Sequence, residues 1–286
     1  MTMRNGPMRM LMQEDLNFLL TNRLPRRWAT NLVGRIAAVE HPWVARPALA
    51  AWRFFCDVDL SDAETTRFAS LREGFVRRLR AGARVFAAGE GVVASPCDAI
   101  VGAHGRVEDG CVYQVKGFPY RLDELVPDAM VAGRFVDGWF VTLRLTAGMY
   151  HRFHAPADLT VEGVTYQSGD CWNVNPVALK RVERLFCRNE RAVIEARGTG
   201  GRELLLVPVA AILVAGIRLT FLDTGRLLRE EGAGRRACDA TVEKGAEMGW
   251  FEHGSTIVMF LPAAARLRGE LREGRAIRAG EAIADW

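Results

Sequence analysis

Residues 204–217, LLLVPVAAILVAGI, form the longest apolar run of the chain and bear most directly on its fold class. The run has fourteen residues and contains Pro208. It is therefore too short for a membrane-spanning helix, which needs about 20 apolar residues. A short apolar run bounded by turn residues is typical of buried strands. We predict strands over Leu204–Val209 and Ile212–Leu219.

Similar short runs occur from about residue 91 to residue 260, separated by Gly, Asp and Asn turns. Trp139–Leu145 and Ile257–Phe260 are two of them, rich in the β-branched and aromatic residues that strands favour. The body of the chain is therefore predicted to be rich in β-structure.

The N-terminal part has a different pattern. Apolar residues of the segment 14–56 recur at helical spacing, and Pro25, Pro42 and Pro47 divide it into short helices. Ser61-Asp-Ala-Glu64 then matches a helix capping box. We predict an α+β protein with a helical N-terminal region, 1–70, followed by a β-rich domain, 71–286.

Charge is concentrated at the N-terminus. The net charge of +4 is too small to indicate a nucleic-acid partner, but residues 1–53 carry eight arginines against three acids. A basic helical segment with Trp28, Trp43 and Trp52 suits an anionic membrane surface. A solvated helical pair packed on the body is the alternative. Because no signal-peptide pattern is visible, we expect a peripheral protein on the cytoplasmic face of the cell membrane.

The six cysteines are widely spread, and the sequence has no CxxC pair and no Cys/His cluster. This spacing predicts neither a metal site nor a disulfide framework.

Two of the five histidines, His151 and His154, lie three residues apart and could share one face of a helix. No third ligand stands nearby to complete a metal shell. A general acid–base pair is the functional interpretation, since histidine titrates near neutral pH, and structural histidines are the alternative.

The dipeptide Gly254-Ser255 stands before the predicted strand Ile257–Phe260. A glycine leaves its carbonyl open to attack by the next serine hydroxyl, in an N-to-O acyl shift. Elimination and hydrolysis would then leave a pyruvoyl group, which can act as an electron sink. The tripeptide Gly-Ser-Thr is also a common turn, so by itself it carries little information.

Five segments in fixed order together resemble the bacterial phosphatidylserine decarboxylases over about residues 14–260. These are Ser95-Pro-Cys-Asp-Ala-Ile100, Lys116-Gly117 with Tyr120-Arg-Leu-Asp-Glu-Leu125, Tyr150-His-Arg-Phe-His-Ala-Pro156, Phe186-Cys-Arg-Asn-Glu-Arg191, and Glu247-Met-Gly-Trp-Phe-Glu-His-Gly-Ser-Thr256.

The resemblance implies a proenzyme that cuts itself between Gly254 and Ser255 into a β chain, 1–254, and an α chain, 255–286. Ser255 would become a covalent pyruvoyl cofactor, and Asp98 and His154 would complete a triad that drives the cleavage. The mature enzyme would convert phosphatidylserine to phosphatidylethanolamine and CO2 through a Schiff base. His151, the other motif histidine, would serve decarboxylation, and either histidine could reprotonate the carbanion.

Several positions depart from the family pattern. His253 replaces a leucine beside the cleavage site, Ala99 replaces a glycine, and Met149 replaces an aspartate before the histidine pair. The tail after Phe260 has no clear resemblance. Asn189 in the fourth segment is expected to lie in a buried, hydrogen-bonded turn near the site, and Cys97 is expected to pack rather than react.

Three other interpretations remain open at this point. The same scaffold could decarboxylate a soluble amino acid or a different serine phospholipid, or it could be a homologue that never matures. The expected partners are phosphatidylserine in an anionic membrane and the two chains of one proenzyme. The sequence also leaves a homodimer open.

Overall fold

The computed structural model describes residues 26–115, 118–211, 216–226, 234–252 and 255–286, and for Arg26–Asn31 and Ser255 it describes the backbone alone. The helices are α1 Arg26–Ala37, α2 Pro42–Phe55, α3 Leu71–Phe75, α4 Leu122–Leu125, α5 Ala129–Gly133, α6 Pro176–Leu179 and α7 Leu185–Arg188. The strands are β1 Val92–Ala94, β2 Ala99–Arg106, β3 Cys111–Val115, β4 Phe118–Arg121, β5 Trp139–Arg144, β6 Arg152–His154, β7 Leu159–Gln167, β8 Arg191–Gly198, β9 Arg202–Ala210, β10 Ile217–Leu219, β11 Gly234–Val242, β12 Glu247–Phe251, β13 Ser255–Leu261, β14 Arg266–Leu267, β15 Ala276–Ile277 and β16 Ala282–Asp285.

An eight-stranded antiparallel sheet, in the order β11-β7-β8-β9-β13-β5-β2-β15, forms the centre of the molecule. The core on one of its faces is shared with two three-stranded sheets, β10-β12-β6 and β1-β16-β14. The core on the other face is shared with α4 to α7 and with the β3-β4 hairpin. Helices therefore cover one face and strands the other.

Strand β13 lies in the middle of this sheet and is buried on both faces. Ile257 and Met259 belong to the core shared with the small sheets, whereas Val258 and Phe260 belong to the core shared with the helices. Because successive side chains of a strand point to opposite faces, a strand covered on both sides is apolar over a nearly continuous run, here Ile257–Leu261. The same reason explains the apolar run Leu204–Val209.

The predicted α+β class is confirmed. Strands β9 and β10 confirm the strands expected around 204–209 and 217–219, while residues 212–215 lie outside the described part of the chain. Helices α1 and α2 confirm the helical pattern over 26–55. The rest of the expected helical stretch, 14–25, lies outside the described residues.

The capping-box match at Ser61 does not start a helix. The backbone N–H of Ser61 donates to Asp59 Oδ1 at 2.8 Å, and Ala63 forms a β-bridge with Leu79. The actual helix start is Ser70, whose Oγ accepts from the backbone N–H of Glu73 at 3.2 Å. Residues 61–64 pair with a distant segment instead, which a local motif does not encode.

Candidate active site

The expected cleavage site lies at one end of the central sheet. In the register of the strands, Ser255 is opposite Ala210, and Thr256 is opposite Arg144. Arg144 in turn is opposite Ile100, near the start of β2. Strands about 4.8 Å apart place the start of β2 about 10 Å from the start of β13. We call this region the cleavage end.

Asp98 precedes β2 at the cleavage end and is almost fully buried. Its carboxylate accepts from Arg84 Nε at 2.7 Å and Nη2 at 2.5 Å, and from the backbone N–H of Ala279 at 2.9 Å. Arg84 also binds Asp62 at 2.8 Å. These hydrogen bonds, with that to Asp98 the largest cause, raise the pKa of Arg84, so its guanidinium stays charged.

His154 ends strand β6, and its imidazole has a defined partner at each nitrogen. Nδ1 donates to the carbonyl of Gly245 at 2.9 Å, which leaves Nε2 to accept from the hydroxyl of Tyr150 at 3.0 Å. Burial lowers the pKa of His154, so the ring is neutral at pH 7. A neutral imidazole with a basic Nε2 is the form that a general base requires.

A backbone hydrogen bond connects His154 to the segment that contains Asp98. The backbone N–H of His154 donates to the carbonyl of Pro96 at 2.8 Å. Among the described contacts, however, Asp98 does not bind the imidazole, because Arg84 and Ala279 occupy the carboxylate. Gly245 fixes the tautomer of His154 instead.

The expectation that the two histidines could share a helix face is wrong, because His151 directly precedes strand β6 and His154 is its last residue. His151 lies just before β6 and is fully buried, and its ring meets Phe75 of α3 edge-on at 5.3 Å between centroids. The ring of His154 lies near Phe86 and Tyr150. Side chains alternate along a strand, so a spacing of three residues separates the two rings.

A cavity of about 570 Å³ opens beside Asp98. Its walls include Arg84, Ile100, Thr146 and Tyr150. The volume is within the range of small-molecule sites. Tyr150, whose hydroxyl donates to His154, is therefore part of the cavity wall. This hydrogen bond connects the histidine to the cavity.

Asn189 is fully buried, as expected, but in place of the expected turn it follows α7 and forms an isolated parallel bridge with Asp170. Its amide donates to the carbonyls of Trp172 and Ala210, each at 2.8 Å, and its oxygen accepts from the N–H of Trp172 at 2.8 Å. Since Ala210 is the residue opposite Ser255, Asn189 anchors the strand against which the start of β13 is hydrogen-bonded.

The remaining sequence candidates divide into two groups. Cys97 is fully buried, and burial raises the pKa of its thiol well above the usual value, which fits a packing residue. Lys116, His253 and Gly254 lie outside the described residues. Sequence reasoning missed Arg84, for which the sequence offers no signal. It also missed the contact of Tyr150 with His154, although Tyr150 stands inside a quoted motif.

No helix in the described ranges is both long and apolar enough to cross a bilayer. Within the same residues, no group of three or more His, Cys, Asp and Glu side chains is arranged to hold a metal ion.

Comparison with known proteins identifies the family of the chain. The family model described as phosphatidylserine decarboxylase matches residues 71–285. The phosphatidylserine decarboxylase proenzyme of Yersinia enterocolitica is 33% identical over 96% of this chain and 97% of its own length. The proenzyme of Yersinia pestis strain Pestoides F shows the same identity and coverage. The chain therefore belongs to the phosphatidylserine decarboxylase family of carboxy-lyases, whose curated members are described as proenzymes.

Proposed function

We propose that this protein decarboxylates phosphatidylserine to phosphatidylethanolamine and CO2 after cutting itself at Gly254-Ser255. The observation that carries the proposal is the strand register. It places Ser255 at the same end of the sheet as Asp98, and His154 is bonded to the segment that carries Asp98. The family membership supplies the reaction class.

In the proposed maturation, His154 Nε2 gives up its hydrogen bond from Tyr150 and accepts the proton of the Ser255 hydroxyl. The hydroxyl oxygen attacks the carbonyl carbon of Gly254, the peptide C–N bond breaks, and the released amine takes a proton. Elimination across the serine Cα–Cβ bond then frees the carboxylate of Gly254. Hydrolysis of the resulting dehydroalanine releases ammonia. Burial lowers the pKa of His154, but the charges of Glu247 and Asp98 act against it, so Asp98 would favour a transient imidazolium.

The chain fits a cofactor formed at residue 255. Residues 255–260 pair with β9 on one side, and residues 256–261 pair with β5 on the other. The later α-chain strands β15 and β16 pair with β2 and β1. The α chain would therefore stay in place after cleavage, with its first residue fixed. A pyruvoyl carbonyl at that position would supply the electron sink that decarboxylation needs.

The two histidines would have separate roles, since their rings occupy different surroundings. His154 would act as the base of maturation. His151 would serve turnover, and its backbone supports this placement, because its carbonyl accepts from the N–H of Phe251 at 2.9 Å, four residues before Ser255. Either imidazolium could return a proton to the product carbanion.

Mass spectrometry and an activity assay test the proposal together. The wild-type chain should yield an α chain of residues 255–286 that begins with a pyruvoyl group, and Ser255→Ala should remain full length. The mature protein should release CO2 from phosphatidylserine and not from free amino acids. Turnover of a soluble amino acid or of another serine phospholipid alone would replace the substrate assignment. An intact wild-type chain would show a homologue that does not mature.

We also propose that the protein acts as a peripheral enzyme on the cytoplasmic face of an anionic membrane, which it contacts through the exposed side of helix α2. Trp43 of α2 is 87% exposed, and Phe54 and Phe55 at the end of α2 are more than half exposed. Such exposed aromatic side chains on a helix suit the interfacial layer of a bilayer.

Trp52 does not fit the anchor role predicted for it. It is 4% exposed, and its indole N–H donates to the carbonyl of Ala147 at 2.8 Å. Its ring packs 5.1 Å from Phe75, which in turn contacts His151. The inward face of α2 thus lies close to the candidate site, so a membrane bound to the outward face would present lipid near it.

Sedimentation with vesicles of phosphatidylserine and phosphatidylcholine tests the membrane proposal. Substituting Trp43 and Phe55 by serine should weaken binding, whereas Met130→Ser removes an apolar side chain of α5 that is 83% exposed and should not. Equal losses in both variants would contradict the assignment of this face. A homodimer is a further hypothesis, which analytical ultracentrifugation of the mature protein tests.

A further inference from the structure

Arg144, the last residue of β5, carries a charge that the described residues do not balance. Its side chain is half-buried, yet no hydrogen bond or ion pair joins its guanidinium to any residue of the described ranges. Burial lowers the pKa of Arg144, with no acid acting against that effect. Cations that leave water in proteins are normally paired, so one without a partner is a candidate for binding an anionic ligand.

Arg144 lies next to the residue expected to form the cofactor. It is opposite Thr256 on one side and Ile100 on the other. Side chains directly opposite one another, and those two residues apart along a strand, share one face of a sheet. Ile100 and Thr146 both line the cavity beside Asp98. Arg144 is therefore opposite one residue of that cavity wall and two residues before another along the chain.

Thr256 adds a second uncompensated polar group on this face. Its side chain is fully buried, and Oγ1 has no hydrogen-bond partner in the part of the chain that the structure describes. A buried hydroxyl is normally hydrogen-bonded. A guanidinium and an unsatisfied hydroxyl directly opposite each other are a donor pair suited to an anion.

We propose that Arg144 is a substrate-binding residue that holds the phosphodiester of the lipid head group, an inference that rests on the proposed function. Of the two anions on a serine phospholipid, the carboxylate loses its charge as CO2 departs. A cation bound to it would stabilise the ground state more than the transition state. The phosphodiester keeps its charge throughout, and guanidinium matches it with two hydrogen bonds.

The distance along the substrate agrees with this assignment. Only a methylene and an ester oxygen separate the phosphorus from the serine α-carbon, which must lie at residue 255 during the reaction. Arg144 is the neighbour of residue 256 on the adjacent strand. By strand alternation its side chain lies on the face of the sheet opposite to that of residue 255, so the phosphodiester would pass the end of β13 to meet the guanidinium.

The test compares Arg144→Met with the wild type as mature enzymes in non-ionic detergent micelles containing phosphatidylserine. Loss of one charge-assisted contact should raise KM about 10- to 100-fold while the pyruvoyl content stays unchanged. Soluble glycerophosphoserine should inhibit the wild type more strongly than free serine does, and the variant should lose that difference. Arg106→Met, which removes an exposed cation from the opposite end of the same strand pair, should leave both values unchanged.

An unchanged KM and unchanged inhibition by glycerophosphoserine in Arg144→Met would overturn the inference. If Arg144→Met fails to mature, Arg144→Lys keeps the charge but not the paired hydrogen bonds, and it should still raise KM several-fold. A wild-type KM in that variant would equally overturn the inference. If the mature wild type does not decarboxylate phosphatidylserine at all, the proposed function fails, and the two failures are thereby distinguished.

Discussion

Arginines occur in two regions of the central sheet. In one region they form ion pairs with glutamates, and in the other Arg144 has no acidic partner among the described residues. On β7, β8, β9 and β11, and at the end of α5, six residues form the network that we call the arginine network: Arg134, Arg197, Arg235, Glu162, Glu195 and Glu203. Every member has an opposite charge within 3.3 Å. At the cleavage end, Arg144 has no acidic partner in the described ranges.

Glu195 is the centre of the arginine network. Its side chain is 4% exposed and lies 2.9 Å from Arg235 Nε and 3.3 Å from Arg134 Nη2. A buried carboxylate with two guanidinium partners has its charge balanced, so it is not expected to bind a ligand. An arginine that is paired with an acid therefore stabilises the fold, whereas an unpaired arginine can bind an anionic substrate. Residue type and position on the sheet do not make this distinction.

The largest expected effect comes from the cleavage end. His154→Ala should slow self-cleavage about 1000-fold, the range of a lost general base, at a temperature where the variant is folded. His151→Ala should cleave at a near-normal rate and then turn over poorly. Gel analysis of the two chains and a CO2 assay on the mature fraction separate these steps. Normal cleavage in His154→Ala would contradict the assignment of His154 to maturation and His151 to turnover.

Asn189 connects a buried structural contact to the cleavage end. In Asn189→Asp the amide donors to the carbonyls of Ala210 and Trp172 are lost, and two buried acceptors are left unsatisfied. The cost should be about 3 kcal/mol in the free energy of unfolding, and self-cleavage should slow because β9 no longer holds β13 firmly. Urea denaturation and gel analysis measure the two effects. A destabilised variant that cleaves at the wild-type rate would limit Asn189 to a structural role.

Glu195→Gln should give the reverse of the His154 result. Removing the shared carboxylate leaves two arginines that are one third to two fifths exposed, so solvent offsets part of the loss. We expect a loss of about 2 kcal/mol in the free energy of unfolding, measured by urea denaturation. Self-cleavage and KM should not change. Any loss of activity at a temperature where the variant is folded would contradict the separation of the two regions.

Glu162→Gln is the matched control within the arginine network. Glu162 and its partner Arg197 are 33% and 40% exposed, and such exposed pairs contribute less than about 1 kcal/mol. The melting temperature of Glu195→Gln should therefore be clearly lower than that of Glu162→Gln. Equal losses would mean that burial does not set the strength of these pairs.

The smallest effect concerns pH. Burial lowers the pKa of His154 below the unfolded value of about 6.5, so the unfolded chain binds this proton first as the pH falls. Its contribution to stability is therefore constant above about pH 6.5 and is lost as the pH falls through the lowered pKa. Unfolding between pH 5 and 8 should show this loss in Ser255→Ala. The loss should be smaller in Ser255→Ala/His154→Asn, and an equal pH dependence would argue against a buried, neutral His154.

Local sequence patterns predicted those features that depend on neighbouring residues. The strands around Leu204–Val209 and Trp139–Leu145 follow from apolar and β-branched runs, and α1 and α2 from helical periodicity between prolines. The motif order predicted the family. The same local logic failed at Ser61, where pairing with residue 79 replaces a helix, and at Trp52, where a contact with Ala147 replaces exposure.

The sequence by itself determined the fold class, the family and a short list of candidate residues, because each depends on residue types and their spacing along the chain. Only the tertiary structure decided which groups meet. It paired Asp98 with Arg84, gave His154 its partners Gly245 and Tyr150, and set Arg144 opposite Thr256. These contacts join residues far apart in the chain, and strand register and burial, which no local pattern encodes, decide whether a charge is satisfied or left available.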